Sequence, residues 1–222
     1  MDFLTILFLI LAAVIFFRLR SVLGTRTGQE RPPQERVLKR AEKEAAPKKA
    51  DTVVNLPRTE PARDRLEGVE AGSAIASALQ FIVDADPAFR VPQFINGAKA
   101  AYEMILAAFA NGDRTTLRKL LSPDIYATFE QEITARESRG EKVEFHFVGI
   151  TKADITEAVL KDSVSQITVH FVAKLVQATM NANGDVIEGD AVNIDEVGDR
   201  WTFERKVTAR DPNWKLVAAE DA

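Results

Sequence analysis

Few residue types in this 222-residue sequence could do covalent or metal chemistry. Cysteine is absent, which excludes a thiolate nucleophile, a disulfide and a cysteine-ligated metal. The two histidines, His146 and His170, are too few for most zinc sites unless carboxylates complete the ligand set. The sequence contains no nucleophile elbow, metalloprotease helix, phosphate-binding loop or dinucleotide-binding glycine pattern. We therefore expect no metal, no cofactor and no catalytic residue.

The side chains that remain for proton transfer are Tyr102, Glu103, Asp124 and Tyr126. Tyr102 falls on the apolar face of a predicted helix, where a tyrosine usually packs and pairs its hydroxyl. Glu103 lies one position off that face. Asp124 lies in the first turn of another predicted helix, where a carboxylate favours the helix dipole. These positions indicate structural roles, so we expect a protein that is not an enzyme.

A predicted helical layer between Asp86 and Phe129 positions these side chains. Pro92 suits a first helical turn, Gly112-Asp113 ends this helix and caps the next, and Ser122-Pro123 opens a third. The first helix spaces its apolar residues by three and four positions, which is typical of one buried face. These residues are Phe94, Ile95, Ala98, Ala101, Tyr102, Ile105, Leu106 and Phe109.

Two details of this layer are further expectations. The small residues Gly97 and Ala98 interrupt an otherwise bulky face, so we expect the helix to approach its neighbour closely at both. Residues 73–83 form a shorter apolar helix that either packs on the domain or lies on a membrane.

After Gly140 the apolar spacing changes from 3.6 to 2, which predicts antiparallel strands. The first strand starts at residue 142 and continues to residue 160 after a bend at Gly149. Lys161-Asp162 is the predicted hairpin turn, and Asn181–Gly198 is a predicted loop. Strands over 163–178, 200–207 and 214–218 complete the sheet. Helices followed by antiparallel strands predict an α+β fold, with the helices covering one sheet face.

The alternation places aromatic and branched side chains on the sheet face that meets the helices. We expect this set to form a core, with a concave remainder able to hold an acyl chain or a partner's side chain. The predicted pocket residues are Tyr102, Ile105, Leu106, Phe109, Phe145, Phe147, Val169, Phe171, Trp201, Phe203 and Trp214.

The N-terminal segment contains an apolar run over residues 3–17 with one threonine and no charge. As a helix it covers about 22 Å, and extension through Leu23 gives about 31 Å, enough to span a bilayer core. A cleaved signal peptide is the alternative, but Asp2 precedes the run and no A-x-A-like site follows. We predict a transmembrane anchor over residues 1–23. Its defining residues are Phe3, Leu7, Leu11, Phe17, Arg18 and Arg20.

Charge is unevenly spread along the chain. Residues 18–70 hold 13 Lys/Arg and 9 Asp/Glu, whereas residues 71–222 hold 16 and 23. An acidic globular part argues against nucleic-acid binding, which needs clustered cations. Residues 24–72 are proline-dotted and poor in apolar residues, so we predict a disordered linker. Its basic bias serves either to hold it near anionic lipid or simply to keep it soluble.

Several motifs together resemble a known family. They are DPAF, GAKAAYEMI, LLSP-x-IY-x-x-F, VEFHFVGI, ITVHFVA, RWTFER and DPNWKLVA. This set resembles the C-terminal domain of the mitochondrial Tim44-like family, whose members tether an import motor to the inner-membrane translocase. It is more similar still to alphaproteobacterial relatives that carry an N-terminal anchor, a charged linker and this domain. The resemblance runs from about Ser73 to the end.

The resemblance implies a curved antiparallel sheet and helices that form a cone around an apolar pocket, as in nuclear transport factor two. It also implies association with the inner membrane and its lipids. The chaperone-binding region of the mitochondrial proteins lies in a longer N-terminal half, so that role does not carry over to the short linker here. Some enzymes with a cone fold use an Asp or a Tyr inside the pocket.

We therefore expect a bacterial inner-membrane adaptor with a single anchor and a cytoplasmic domain at residues 73–222. Because the flanking arginines follow the anchor, the positive-inside rule places that side in the cytoplasm. The expected partners are membrane lipids and inner-membrane proteins, in protein translocation or membrane-protein biogenesis, and not nucleic acid. A carrier or sensor of a small apolar ligand is the first alternative, and a cone-fold enzyme is the second. The oligomeric state is open.

Overall fold

The computed structural model describes residues 65–222, and the predicted anchor and most of the predicted linker lie outside the described residues. In the described part, helices precede strands. The helices are α1 (Ala74–Ala85), α2 (Val91–Ala110), α3 (Arg114–Leu120) and α4 (Pro123–Arg139). The strands are β1 (Lys142–Lys161), β2 (Val164–Met180), β3 (Val186–Lys206) and β4 (Lys215–Asp221). This order confirms the α+β class.

The helices begin and end where the sequence supplies caps. The side chains of Ser73, Asp113 and Ser122 each accept a hydrogen bond from a backbone N–H of the first turn of α1, α3 and α4. Gly140 ends α4 with a φ of 68°, a left-handed conformation that glycine adopts without strain. The helical layer therefore follows from local residue chemistry.

The buried face of α2 differs from the prediction at one position. Phe94, Ala98, Tyr102 and Ile105 are buried as the spacing predicts. Gly97 is exposed, and a Cβ added there would have no neighbour within 4 Å. Ala98 is buried, whereas the expectation of close approach is wrong at Gly97, because successive residues of a helix point about 100° apart.

The four strands form one antiparallel sheet in the order β1-β2-β3-β4. β1 shifts register against β2 at three places, at Phe147/Gly149, Ile150/Lys152 and Ile155/Glu157. Such bulges bend a strand and increase its twist. The sheet therefore curves, and α1 and α2 pack against β1.

The turn between β1 and β2 lies one residue later than predicted. Asp162 and Ser163 have φ values of 52° and 63°, and Lys161 pairs with Val164 across the turn. A two-residue hairpin turn with positive φ at both positions matches the right-handed twist of the strands. Lys161 therefore remains in the strand.

The predicted loop over Asn181–Gly198 is wrong, because β3 begins at Val186 and only residues 181–185 form the turn. Residues 191–194 lie opposite the single residue Val176, between the pairs Gln177–Asp190 and Leu175–Asp195. This bulge breaks the period-two alternation by which a strand is recognised in a sequence.

The core lies between the helices and the sheet, and aromatic rings form its centre. The ring of Tyr102 lies 4.6 Å from that of Phe171 and 4.5 Å from that of Trp201, measured between centroids. Phe203 continues the cluster, 6.4 Å from Trp201. Tyr102 and Phe171 have no solvent exposure. Two members of this cluster, Tyr102 and Trp201, also line a cavity.

Candidate functional site: an apolar cavity with a carboxyl cluster

A cavity of about 580 Å³ opens between α2, α4 and the sheet. Ligand-binding cavities in proteins commonly measure about 300–1,000 Å³, so this one has the size of a binding site. Its wall is mostly apolar, with polar groups at several points. The lining residues are Tyr102, Leu106, Phe109, Ala110, Phe129, Arg136, Val143, Leu175, Gln177, Thr179, Glu188, Gly189, Asp195, Val197, Gly198, Asp199, Trp201, Ala219, Glu220 and Asp221.

Helix spacing supplies one wall of the cavity. Tyr102, Leu106 and Phe109 lie on one face of α2, since residues three and four apart are neighbours on a helix surface. The ring of Phe109 lies 4.7 Å from that of Phe129 on α4. The helices therefore present an aromatic surface to the sheet.

The structure divides the predicted pocket residues into two groups. Tyr102, Leu106, Phe109 and Trp201 line the cavity. The others lie outside its wall: Ile105, Val169, Phe171 and Phe203 are buried in the core, and Phe145, Phe147 and Trp214 are half-buried.

Trp214 lies at the opposite end of the domain from the cavity. Its ring lies 4.8 Å from that of Phe94 and 6.0 Å from that of Phe89. The guanidinium of Arg205 lies 5.2 Å from the centre of the Trp214 ring. Trp214 therefore closes that end of the core.

The other residues considered for proton chemistry lie away from the cavity wall. Glu103, Asp124 and His146 are exposed. Tyr126 donates a hydrogen bond to Glu130 at 2.9 Å and lies below the guanidinium of Arg118. Among residues 65–222, no group of three or more His, Asp or Glu side chains could hold a metal ion.

A carboxyl cluster that the sequence pattern does not predict lies at the Tyr102 end of the cavity. The hydroxyl of Tyr102 donates a hydrogen bond to Asp199 on β3. Asp221 on β4 lies directly opposite Asp199 in the strand pairing. Extending the inward alternation from Trp201 back to Asp199 would have found the first carboxyl, but the predicted loop ended just before that residue.

Burial shifts the pKa of each member of this cluster. It raises the pKa of Asp199, an effect that the Tyr102 hydrogen bond and the charge of His170 partly oppose. Burial and then the charge of Asp199 raise the pKa of Asp221 to about 6. Burial, followed by the charge of Asp199 and the hydrogen bond, raises the pKa of Tyr102, so the phenol stays protonated at neutral pH. The cluster therefore holds exchangeable protons at the end of an apolar cavity.

Arg136 is the cation of the cavity wall among the described residues. It is 5% exposed, and its Nη2 donates to the carbonyl of Phe109 at 2.6 Å. Its guanidinium also lies 4.6 Å from the centre of the Phe109 ring. Burial lowers the pKa of Arg136. This contact joins the end of α4 to α2 beside the cavity.

Comparison with known proteins identifies the class of this domain. Residues 75–221 match the family described as Tim44-like domain, and the chain belongs to that family. A relative is the mitochondrial import inner membrane translocase subunit TIM44-1 of Arabidopsis thaliana. It is 24% identical over 147 residues, which cover 64% of this chain and 31% of the relative. The chain thus spans about a third of the length of that relative.

Three solved structures with similarity to this chain each have a TM-score below 0.5. The intermembrane space region of the chloroplast protein ARC6 is 7% identical with a TM-score of 0.41, covering 57% of this chain and 95% of that one. A putative dehydratase of the NTF2-like family from Streptomyces avermitilis is 12% identical with a TM-score of 0.34, covering 59% and 97%. An NTF2-like protein from Cytophaga hutchinsonii is 18% identical with a TM-score of 0.30, covering 55% and 90%.

Among residues 65–222, no helix has both the length and the apolar character needed to cross a membrane.

Proposed function

We propose that this protein is a membrane-associated adaptor that works in protein translocation or membrane-protein biogenesis. Its domain would hold an apolar group, either a lipid chain or a segment of a membrane protein, in the cavity. Membership of the Tim44-like family supports the translocation role. The observation that carries the proposal is the open cavity of about 580 Å³ beside the aromatic core.

A cavity-filling substitution tests this proposal. Leu106 lines the cavity, whereas Met104 lies on the exposed side of the same helix. Leu106→Trp in the full chain should abolish cross-linking to membrane components in cells, because the indole occupies the space the apolar group needs. Met104→Trp is the matched control and should leave cross-linking intact.

Circular dichroism of both purified variants separates lost binding from unfolding. If Leu106→Trp retains the native spectrum and cross-links as the unaltered chain does, the cavity is not the binding site. If it unfolds, Phe109→Leu provides a milder change of the same wall, with Phe81→Leu on the exposed side of α1 as its control.

We also propose that the N-terminal apolar segment anchors the chain in the bacterial inner membrane. The apolar run over residues 3–17 and the arginines that follow it support this proposal. A reporter fused after Ala222 should then be active in the cytoplasm. Activity in the periplasm, or a mature chain that starts near residue 25, would contradict the proposed topology.

One observation favours acid–base catalysis as a second function. Tyr102, Asp199 and Asp221 lie together at the end of the cavity. The pKa of Asp221 is about 6. A general base is most effective when its pKa lies near the pH at which the protein works. If the protein is an enzyme, Asp221→Asn should remove cellular function while membrane cross-linking persists. If it is an adaptor, Leu106→Trp should remove cellular function and cross-linking together.

A further inference from the structure

The charged groups in the cavity wall are almost all acidic. Among the described residues, five carboxyl side chains line the cavity, at Glu188, Asp195, Asp199, Glu220 and Asp221. Arg136 is their single cationic counterpart in the wall. Even with one carboxyl protonated, the wall keeps a net negative charge. An anionic head group entering this cavity would be repelled, and a cationic one attracted.

The two carboxyls at the Tyr102 end form no ion pair with a lysine or arginine of the described residues, and the basic group that acts on Asp199 there is His170. Within residues 65–222, neither Asp199 nor Asp221 forms an ion pair, whereas Glu220 lies 3.9 Å from Arg200. Asp199 is half-buried and Asp221 is exposed, so both carboxylates remain accessible to a ligand. A cation delivered by a ligand would pair with them.

Unpaired buried atoms point to a ligand independently of these carboxyls. Arg136 is 5% exposed, and its Nε has no hydrogen-bond partner among the described residues. Oε1 of Glu188 is likewise buried without a partner. Both side chains line the cavity. Buried polar atoms in folded proteins are normally paired, so the cavity is suited to a molecule that brings polar atoms into it.

We propose that the cavity binds a molecule that carries an ammonium head group on an apolar body, as a long-chain amine does. The ammonium would lie against Asp199 and Asp221, and the apolar body would pack on Leu106, Phe109 and Trp201. This inference rests on the proposed function, because it takes the cavity as the binding site and adds the charge of the ligand.

The two tryptophans of the chain provide a local reporter. Trp201 lines the cavity, and Trp214 packs against Phe89 and Phe94 outside its wall. In the Trp214→Phe full chain, held in an uncharged detergent, fluorescence therefore reports on Trp201. Three ligands of equal chain length are titrated: octylammonium, octanoate and octanol.

Octylammonium should change Trp201 fluorescence at a roughly tenfold lower concentration than octanoate, with octanol between them, as one partly buried charge pair would produce. Asp199→Asn and Asp221→Asn should each reduce this preference. Asp162→Asn removes the same charge at the β1–β2 turn, where Asn also tolerates the positive φ, and should leave the preference unchanged.

Each other outcome has a distinct meaning. Equal binding of all three ligands, or tighter binding of octanoate, overturns the ammonium inference while the cavity remains a binding site. No binding by any of them contradicts the proposed function as well. The ligand comparison needs no carboxyl variant. If Asp199→Asn unfolds, Asp221→Asn and Glu188→Gln still test the role of the wall charges.

Discussion

The two ends of the domain place carboxyl groups in opposite surroundings. At the end away from the cavity, Asp86 forms an ion pair with Arg205. The side chains of both are about nine-tenths buried, and Arg205 lies over the ring of Trp214. At the cavity end, the half-buried Asp199 and the exposed Asp221 lie opposite one another on β3 and β4, and neither forms an ion pair with a lysine or arginine of residues 65–222. The first arrangement neutralises its charge, and the second leaves it available.

This difference has a consequence for stability at each end. A paired, ring-covered charge contributes to one well-defined packing of the closed end. Unpaired carboxyls beside open space lower stability, and proteins retain such groups mainly where a ligand or a reaction uses them. The closed end thus has the features of a folding element, and the cavity end has the features that the proposed binding role requires.

Breaking the ion pair at the closed end should have the largest effect on stability. Arg205→Met leaves the Asp86 carboxylate buried without a cation, and the expected loss is about 3–5 kcal/mol of unfolding free energy. Urea unfolding followed by circular dichroism measures it. Combining it with Asp86→Asn should recover part of the loss, because the unpaired charge is removed. A loss below about 1 kcal/mol for Arg205→Met would show that the pair is not what holds this end closed.

At the cavity end, a substitution at Gly189 should lower the unfolding free energy, because the backbone there has a positive φ and is closely packed. Its φ is +76°, and an added Cβ would lie 2.2 Å from the carbonyl oxygen of Gln177. Gly189→Ala should cost at least about 1–3 kcal/mol, the usual cost of a strained backbone conformation, because a backbone clash adds to that strain. Gly184→Ala is the matched control, since Gly184 has a φ of +88° and nothing within 4 Å of the added Cβ. Equal losses for both variants would contradict the close contact at Gly189.

The cavity carboxyls should make the domain less stable as the pH rises. Unfolded aspartate has a pKa of about 3.9, and the folded-state pKa of Asp221 is about 6. The folded state therefore binds more protons in this window, so stability falls between about pH 4 and 6. The raised pKa of Asp199 acts in the same direction.

Asp221→Asn should flatten this part of the pH profile of the unfolding free energy. The lowered pKa values of Asp113, Glu137 and Glu141 act with the opposite sign, but only at more acidic pH. A profile that rises from pH 5 to 7, or one that Asp221→Asn leaves unchanged, would show that the pKa of Asp221 is not raised in the folded state.

The sequence predicts the closed parts of the fold better than the cavity. Helix ends follow from the caps at Ser73, Asp113 and Ser122, which act locally. The start of β3 was missed because the bulge at residues 191–194 interrupts its alternation. Since Asp199 follows that misassigned segment, its inward position was missed as well.

The identity of the cavity wall depends on contacts that sequence spacing does not contain. Phe171 and Trp201 are both inward residues of neighbouring strands, yet only Trp201 lines the cavity. Trp214 was placed in the pocket because its alternation fits, but Phe89 and Phe94 enclose it at the other end. An aromatic residue of the sheet lines the cavity only where the helices no longer cover the sheet.

A stabilising substitution in α2 should sharpen the comparison, because this helix contributes Phe94 to the closed end and Phe109 to the cavity. Gly97 lies in the exposed middle of the helix with nothing near an added Cβ. Gly97→Ala should raise the unfolding free energy by about 0.5–1 kcal/mol, since alanine loses less backbone entropy in a helix than glycine does. Ala100→Gly, at another exposed position of α2, should lower it by a similar amount.

Urea unfolding of both variants measures these changes, and Trp201 fluorescence in the Trp214→Phe background checks that ligand binding is unaltered. A loss of stability in Gly97→Ala would mean that the exposed and buried faces of α2 are assigned wrongly. The residues that α2 contributes to both ends, Phe94 at the closed end and Phe109 in the cavity wall, would then be assigned wrongly as well.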